Sequence, residues 1–441
     1  MSKLKTITAN DDVSAKDYLE TGYLRELQLE RLQKTVRRCY DNVAIFRERM
    51  DAKKLKPDDV KKLDDLAKLP FTTKFDLRDT YPFGLCSVPM NQIVRLHASS
   101  GTTGKPIVVA YTQHDLDVWT ESMGRSMAAC GVTRNDTIQV SYGYGLFTGG
   151  LGAHYGGEFL GATVVPTSVG NTQRQLMVMQ DFGVTVICCT PSYFTYLMEK
   201  AAESGIDLKQ MPLRVGIFGA EPWTREMRDH IEEGAGIMAH DIYGLSEISG
   251  PGVGINCKHR DGLHIFEDNF YPEIIDPDTG EVLPDGTSGE LVFTTINKTG
   301  MPLIRYRTRD ITCLMAEKCA CGRTIRRIQR ISSRTDDMMI IRGINVFPSQ
   351  IESALLAVKG TQPHYNIILY TEHGLDQIEV DVEITEKMFN DQIRELEKLQ
   401  KKISDSIEQV IGLRVKIKLV APQTIQRSEG KAKRVIDRRE R

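Results

Sequence analysis

Residues 184–220 read VTVICCTPSYFTYLMEKAAESGIDLKQMPLRVGIFGA, and this stretch decides the fold. The apolar runs VTVICCT (184–190) and RVGIFGA (214–220) are short and continuous, the pattern of a strand buried on both faces. Between them PSYFTYLMEKAAESG (191–205) has the length of a helix. Strand, helix, strand in succession predicts a parallel pair with its crossover. The alternation extends back to about Val94. IVRLHAS (93–99), TIQVSYG (137–143) and ATVVPTS (162–168) read as further buried strands, and DLDVWTESMGRSMAACG (115–131) as a helix. The repetition implies a mostly parallel sheet covered on both faces.

Outside this block the pattern changes. Residues 1–70 read as helical, with Leu29, Leu32, Val36 and Tyr40 at helical spacing, and a passage containing Pro70, Pro82 and Pro89 follows. After about Glu267, YPEIIDPDTGEVLPDGTSGELVFTT (271–295) reads as strand, turn, strand, with Asp278, Gly280, Asp285, Gly286 and Gly289 in the turns. Another change falls near Arg334. Beyond it come a short helix from Pro348, the strands YNIILY (365–370) and QIEVDVEI (377–384), a helix bearing Ile393, Leu396, Ile403, Ile407 and Ile411, and the strand RVKIKLV (414–420). The expected fold is α/β. It has a large N-terminal domain (1–333) of mostly parallel sheets, with a helical segment at 1–70 and a β subdomain at about 267–333. A small mobile C-terminal α+β domain (334–441) follows a hinge near Asp336.

Composition narrows the function. The 441 residues are too many for one ordinary core, so two or three domains are expected. Net charge is −2, from 57 Lys and Arg against 59 Asp and Glu, which provides no field for nucleic acid or an anionic membrane. No stretch is long and apolar enough to span a bilayer. The N-terminal MSKLKTITANDD lacks the apolar core of a signal peptide, so a cytoplasmic location is expected. Nine scattered cysteines, an odd number, read as reduced thiols rather than a disulfide framework.

Six stretches carry chemistry. Ser99-Ser100-Gly101-Thr102-Thr103-Gly104-Lys105 follows a strand-like run. Its glycines allow close backbone approach, its hydroxyls and N–H groups can donate to phosphate oxygens, and Lys105 adds a charge. The spacing is not the Walker form, and by itself the loop reads equally as a polar turn. In FGAEPW (218–223), Gly219 and Ala220 leave room for a flat ring, with Glu221 and Pro222 following; an ordinary strand-to-helix turn is the competing reading. DIYGLSE (241–247) presents Asp241, Ile242, the ring of Tyr243, Gly244 and the carboxylate of Glu247, an oxygen donor suited to Mg²⁺. YRTRD (306–310) ends in Asp310, able to accept from ribose hydroxyls or to pair with Arg307 or Arg309. SSRTDDMMIIRGINVFPSQIE (332–352) sets Arg334 and Asp336 at the domain boundary. Near the end, RSEGKAKRV (427–435) places Lys431 on a glycine-bearing turn from which a lysine can be delivered and withdrawn.

Taken in order, these stations resemble the adenylate-forming superfamily of acyl-CoA synthetases, from about residue 70 to the C-terminus. SSGTTGKP, YGYGLFTGGLGAHYG (142–156), LHIFED (263–268), MPLIRYRTRD (301–310) and the 332–352 segment resemble the phenylacetate–coenzyme A ligase group within it. The resemblance implies ATP and coenzyme A as substrates, Mg²⁺ as cofactor, an acyl-adenylate intermediate and an aryl acid. It implies that Ser99 to Lys105 handle the phosphates and that Gly219 to Pro222, with Asp241 to Gly244, line adenine. Glu247 would hold Mg²⁺, Asp310 and Arg334 would bind ribose, Asp336 would be the hinge and Lys431 the adenylation lysine, with Lys433 its competitor. A homodimer is the family expectation. Two positions depart from the superfamily's commoner pattern: Lys105 precedes Pro106, and Ser333 stands where glycine is usual before the hinge arginine.

Tyr142, Tyr144 and Phe147, with Gly149 giving clearance, are candidates for the acyl slot; close packing of a glycine-dense loop on the sheet is the other reading. Cys257, His264, Cys319 and Cys321 are candidate ligands of a structural Zn²⁺, with His259 an alternative and Cys313 a spare thiol; a set of reduced buried cysteines competes. Two other functions stay open at this level. One is an adenylating enzyme with another aryl acid or an acceptor other than coenzyme A; the other is a nucleotide-binding protein without catalysis, against which Glu247, Asp310 and Lys431 argue.

Overall fold

The structure is a computed structural model that describes residues 14–99, 106–331, 333–342, 344–372, 375–385, 388, 393–428 and 430–439. It opens with α1 (Thr21–Asn42), α2 (Ala44–Ala52) and α3 (Lys74–Asp79). The buried stripe of α1 is Leu24, Gln28, Leu32, Thr35, Val36 and Cys39. Leu32 and Val36 lie on it as expected, while Leu29 and Tyr40 are half-buried at its edge.

A hairpin, β1 (Arg95–Ala98) and β2 (Val108–Tyr111), comes next. This corrects the reading of IVRLHAS as a buried strand of the parallel sheet. β1 pairs only with β2 among the described residues, and Leu96 is exposed. A short apolar run carries no information about which sheet it joins.

The alternating block then follows as α4 (Gln113–Ala129), β3 (Thr137–Val140), α5 (Gly149–Leu160), β4 (Thr163–Val165), α6 (Thr172–Asp181), β5 (Val186–Cys189), α7 (Pro191–Glu203), β6 (Val215–Phe218), α8 (Arg225–Ala235) and β7 (Met238–Leu245). β5 and β6 are buried at every position, as their unbroken apolar runs require. β8 (Gly250–Ile255), β9 (Leu263–Ile265), β10 (Phe270–Ile275), β11 (Gly289–Thr295), β12 (Tyr306–Thr312), β13 (Leu314–Met315), β14 (Arg327–Ile328) and β15 (Ser333–Arg334) complete the large domain.

The main sheet has the order β13-β14-β9-β8-β7-β6-β5-β3-β4 among the described residues. It is mixed: β4-β3-β5-β6-β7 are parallel, and β8, β9, β14 and β13 extend it as an antiparallel wing. A second sheet, β10-β11-β12-β15, is antiparallel. A buried charge cluster ties the N-terminus to this body. Arg125 of α4 donates to Asp17 (2.8 Å) and, in a fork, to Asp268 (3.0 and 3.1 Å), while Arg323 donates to Asp17 (3.0 Å). Arg125, Asp17 and Asp268 have no exposed side-chain surface.

The C-terminal part comprises the hairpin β16 (Met339–Ile341) and β17 (Ile344–Val346), α9 (Pro348–Leu356), β18 (Thr361–Glu372), β19 (Leu375–Ile384), α10 (Ile393–Ile411), β20 (Lys416–Val420) and β21 (Val435–Asp437). Its sheet runs β20-β19-β18-β21, and the alternate Ile378, Val380 and Val382 of β19 meet Leu399, Ile403 and Ile407 of α10 in a core of its own. The β16–β17 hairpin and β21 are additions to the order read from sequence; at three residues each, these strands are too short for periodicity to reveal.

Candidate active site

In the parallel order β4-β3-β5-β6-β7, the chain leaves β3 toward β4 and then returns to β5 on its other side. A crevice opens beyond the carboxyl ends of strands at such a reversal, and ligands of open α/β sheets bind there. The segments following β3, β5 and β6 carry Tyr142 and Tyr144, Thr190, and Gly219 to Pro222.

The hairpin sets Ser99, the first residue of the phosphate-loop candidate, beside the segment that follows β3. Ser99 N donates to the Ile107 carbonyl (2.9 Å), and Ile107 N donates to Ser99 Oγ (3.1 Å), so Ser99 closes the neck of the loop. Ser100, Gly101, Thr102, Thr103, Gly104 and Lys105 lie outside the described residues. Ala98 N donates to the Leu146 carbonyl (2.9 Å) and His97 Nδ1 lies 3.0 Å from it, which joins the neck to the loop bearing Tyr142, Tyr144 and Phe147.

In that loop, Tyr144 Oη meets His154 Nδ1 at 3.2 Å, and burial drives the Tyr142 phenol well above its ordinary range. Phe147 is half exposed. A Cβ at Gly149 would rest in ordinary contact with the Tyr142 ring, whereas one at Gly150 would meet the Gly143 carbonyl at 2.5 Å and one at Gly152 the Trp119 ring at 2.7 Å. The glycines of α5 therefore serve close packing on α4 and on the loop itself.

After β6, a Cβ at Gly219 would lie 2.5 Å from the Ile242 carbonyl, so the close approach of β7 requires glycine there. Ala220 is exposed and takes a left-handed φ of +70°, which turns the chain out of β6. Asp241 pairs with Arg330 (3.4 Å), and the guanidinium of Arg330 lies over Trp223. Gly244 faces the Gly250 carbonyl so closely that a Cβ would sit 1.9 Å from it.

Tyr243, Asp310 and Arg334 converge. Antiparallel β12 and β15 set Asp310 directly opposite Arg334. Arg334 donates to Asp310 (2.7 Å) and to Asp336 (3.0 Å), and the Tyr243 hydroxyl donates to the other Asp310 oxygen (2.5 Å). Asp310 is 2% exposed. Burial raises its carboxyl from 3.8 to about 6 against the opposing pull of Arg334. The Arg307 and Arg309 pairings weighed from sequence fall instead on Glu290. Asp336 is half exposed at the boundary.

Glu247 is buried in the turn after β7. Lys298, which sequence reasoning missed, underlies it. Its ammonium donates to the Ile248 carbonyl (2.8 Å), faces the Tyr111 ring and is 5% exposed. Burial lowers it to about 8, with Asp115 and Glu247 opposing. Nothing in NKTG distinguishes it from a solvated turn lysine. Lys431 lies exposed in the turn before β21, its carbonyl accepting from Ser428 Oγ (3.0 Å).

Away from the crevice, Cys257, His264, Cys319 and Cys321 offer ligand atoms all within 4.8 Å of one another. Cys257 Sγ and Cys319 Sγ are 3.6 Å apart, and Cys321 Sγ is 3.3 Å from His264 Nε2. His259, the alternative ligand, is exposed on the neighbouring turn and lies outside this group, as does Cys313. Sulfurs held at about 2.3 Å by a tetrahedral zinc lie about 3.8 Å apart, so the donor set and its spacing fit that ion.

Comparison with known proteins adds the following. A family model described as AMP-binding enzyme matches residues 23–299, and one described as AMP-binding enzyme C-terminal domain matches 343–439. Phenylacetate-coenzyme A ligase of Pseudomonas putida is 51% identical over 437 residues, covering 97% of this chain and 98% of that one. The structure of 2-hydroxyisobutyryl-CoA ligase in the postadenylation state with R3-HIB-AMP superposes with a TM-score of 0.91 at 28% identity, covering 96% of this chain and 91% of the other. The same enzyme with 2-HIB-AMP and CoA in the thioesterification state gives 0.71 at 29% identity, covering 97% and 92%. The gap between the two scores arises within one neighbouring enzyme. It places the domain arrangement of this chain with the first state.

Proposed function

Because the chain belongs to the AMP-binding enzyme family, and within it to the phenylacetate–coenzyme A ligases, we propose that it joins phenylacetate to coenzyme A at the expense of ATP, through an acyl-adenylate. The observation that carries this is the meeting of Tyr243, Asp310 and Arg334 at the end of β7, in a chain whose likeness to such ligases runs nearly its full length.

In the first half-reaction a carboxylate oxygen of the acid bonds to the α-phosphorus, and the bond from that phosphorus to the bridging oxygen breaks, releasing pyrophosphate. Asp310 and Arg334 bind the ribose, and exchange of their mutual contacts for the sugar hydroxyls holds the nucleotide in register. Lys431 sets its ammonium against the negative charge that gathers on the transferring atoms. Ser99 to Lys105 hold the phosphates that leave. Glu247, a buried carboxylate whose charge reaches Tyr306 and Lys298, fits Mg²⁺, which would neutralise phosphate charge. In the second half-reaction the sulfur of coenzyme A bonds to the acyl carbon, and the acyl–oxygen bond to AMP breaks. Rotation about Asp336 withdraws Lys431 and admits the thiol. Tyr142, Tyr144 and Phe147 form the aryl slot, while Gly219 to Pro222 and Asp241 to Gly244 form the adenine wall. The domains divide at 333/334.

The cluster of Cys257, His264, Cys319 and Cys321 would hold Zn²⁺ in this reading. Bound there, it would join the antiparallel wing of the main sheet to the 319–321 turn, a structural rather than catalytic task. A homodimer in the cytoplasm completes the proposal on family likeness; among the described residues no helix is long and apolar enough to cross a membrane.

ATP–pyrophosphate exchange across a panel of aryl acids tests the proposal, followed by AMP release with and without coenzyme A. The expected result is exchange with phenylacetate and thiol-dependent AMP release. No exchange with any carboxylic acid refutes it, and exchange without thiol-dependent turnover assigns a different acceptor.

A further inference from the structure

The turn carrying Lys431 is gripped by the large domain on both sides of the lysine. Thr190, at the end of β5, donates from Oγ1 to the Gly430 carbonyl at 2.9 Å. The same hydroxyl accepts from Tyr193 N (3.2 Å) and so caps α7. Glu221, after β6, accepts from Ser192 N in the first turn of α7 (2.8 Å) and, on its other oxygen, from Ala432 N (2.8 Å). Lys431 itself is exposed. Further along α7, Glu199 accepts from Arg427 (2.9 and 3.1 Å) and lies 2.6 Å from His364 Nε2. All the partners on the far side belong to the small domain.

We propose that Thr190 and Glu221 are positioning residues for adenylation. They form a two-point dock that fixes the main chain at 430 and 432, and thereby the root of the Lys431 side chain. The inference rests on the adenylating reading of the site.

The physical case has three parts. A lysine on four rotatable bonds reaches a transition state productively only if its Cα is located, and main-chain anchoring on both flanks does that without occupying the ammonium. The Glu221 carboxylate sits at the N-terminus of α7, where free N–H groups and the helix dipole favour negative charge. Burial pushes its carboxyl up, and the donors at Ser192 and Ala432 counteract the push, so its charge is tied to the docked turn. Finally, each grip joins one domain to the other. Displacement of the small domain breaks both, so the two residues act in one half-reaction and are released for the next. This gives Glu221 a task beyond the adenine wall, and it brings in Thr190, to which no motif pointed.

The test separates the half-reactions. Thr190→Val, Thr190→Ser and Glu221→Gln are compared with wild type in single-turnover pyrophosphate release and in thioester formation from supplied acyl-adenylate. Hydrogen exchange over residues 428–436 is followed with ATP and Mg²⁺ present. Thr190→Val and Glu221→Gln are expected to slow adenylation roughly ten- to hundredfold, the span that a lost hydrogen bond to a charged or well-placed partner corresponds to. Thioester formation should fall at least tenfold less, Thr190→Ser should recover most of the loss, and exchange over 428–436 should quicken in the two disabling variants. Equal slowing of both half-reactions, or unchanged exchange over 428–436, overturns the dock. Absence of pyrophosphate exchange in the wild type overturns the ligase reading instead, and hydrogen exchange still judges the dock in that case.

Discussion

Replacing Asp310 by asparagine is expected to make the protein more stable at neutral pH while weakening its hold on ATP. The folded protein raises this carboxyl from 3.8 to about 6 through burial. A raised carboxyl binds its proton more tightly folded than unfolded, so ionised Asp310 destabilises the fold. The penalty is absent below about 3.8, grows as pH rises toward about 6, and is constant above. At neutral pH it reaches about 3 kcal/mol, from 1.36 kcal/mol per unit. The side chain is 2% exposed, so solvent relieves little of it. Arg334 loses one partner in the variant but keeps Asp336 at 3.0 Å and Asp337 at 3.8 Å, and asparagine retains an acceptor for Tyr243. A net gain of roughly 1–2 kcal/mol remains after that loss is subtracted. Denaturant unfolding of wild type and Asp310→Asn from about pH 4.5 to about pH 7.5 reads it out: the variant's advantage should appear only as pH climbs through the titration. The KM for ATP should rise in the same variant. A less stable variant at neutral pH, or a stability difference that ignores pH, refutes the reasoning. The expected outcome makes the wild-type residue an example of stability given up for binding.

Three further outcomes are expected. Lys431→Ala should lower adenylation by about 10²–10³-fold, the scale of a removed transition-state donor, with thioester formation from supplied acyl-adenylate largely kept; equal loss of both would remove its assigned role. Arg125→Met strands the buried Asp17 and Asp268 carboxylates without their shared cation and should cost about 3–5 kcal/mol in denaturant unfolding, whereas a neutral effect would mean the cluster is dispensable. Cys319→Ser should lose zinc by elemental analysis, with wild-type metal content in the variant counting against the site.

Much of the architecture was legible because the relevant physics is local. The runs at 184–190 and 214–220 declare strands buried on both faces, and β5 and β6 are buried throughout. The alternation in 377–384 declares a one-sided strand, and its isoleucines and valines do line the small core. Where local signals were ambiguous the reading slipped. IVRLHAS resembles its neighbours but forms a hairpin of its own, and the α1 stripe holds the expected Leu32 and Val36 together with Gln28 and Thr35, polar residues that an apolar pattern does not reveal. At Gly152, Gly156 and Gly157 a Cβ would press on Trp119, Met123 or Val164, so close packing, one of the two readings of this segment, accounts for them, whereas at Gly149 it would only touch the Tyr142 ring.

By itself, then, the amino-acid order determined the α/β class, the kind of each long element, the resemblance to adenylate-forming ligases and the roster of candidate residues. Tertiary structure alone decided which of them meet. Asp310 faces Arg334 because two strands pair in antiparallel register, Cys257 lies 3.6 Å from Cys319 across 62 residues of sequence, and Thr190 reaches Gly430 across 240. Propensity and periodicity act over a few residues. Contacts such as these depend on strand order and on where one domain rests against another, and neither leaves a local trace. The grip on the Lys431 turn is of this kind: 184–220, the stretch that declares the fold, also supplies Thr190 and the first turn of α7, whose docking task appears only once the distant turn is set against them.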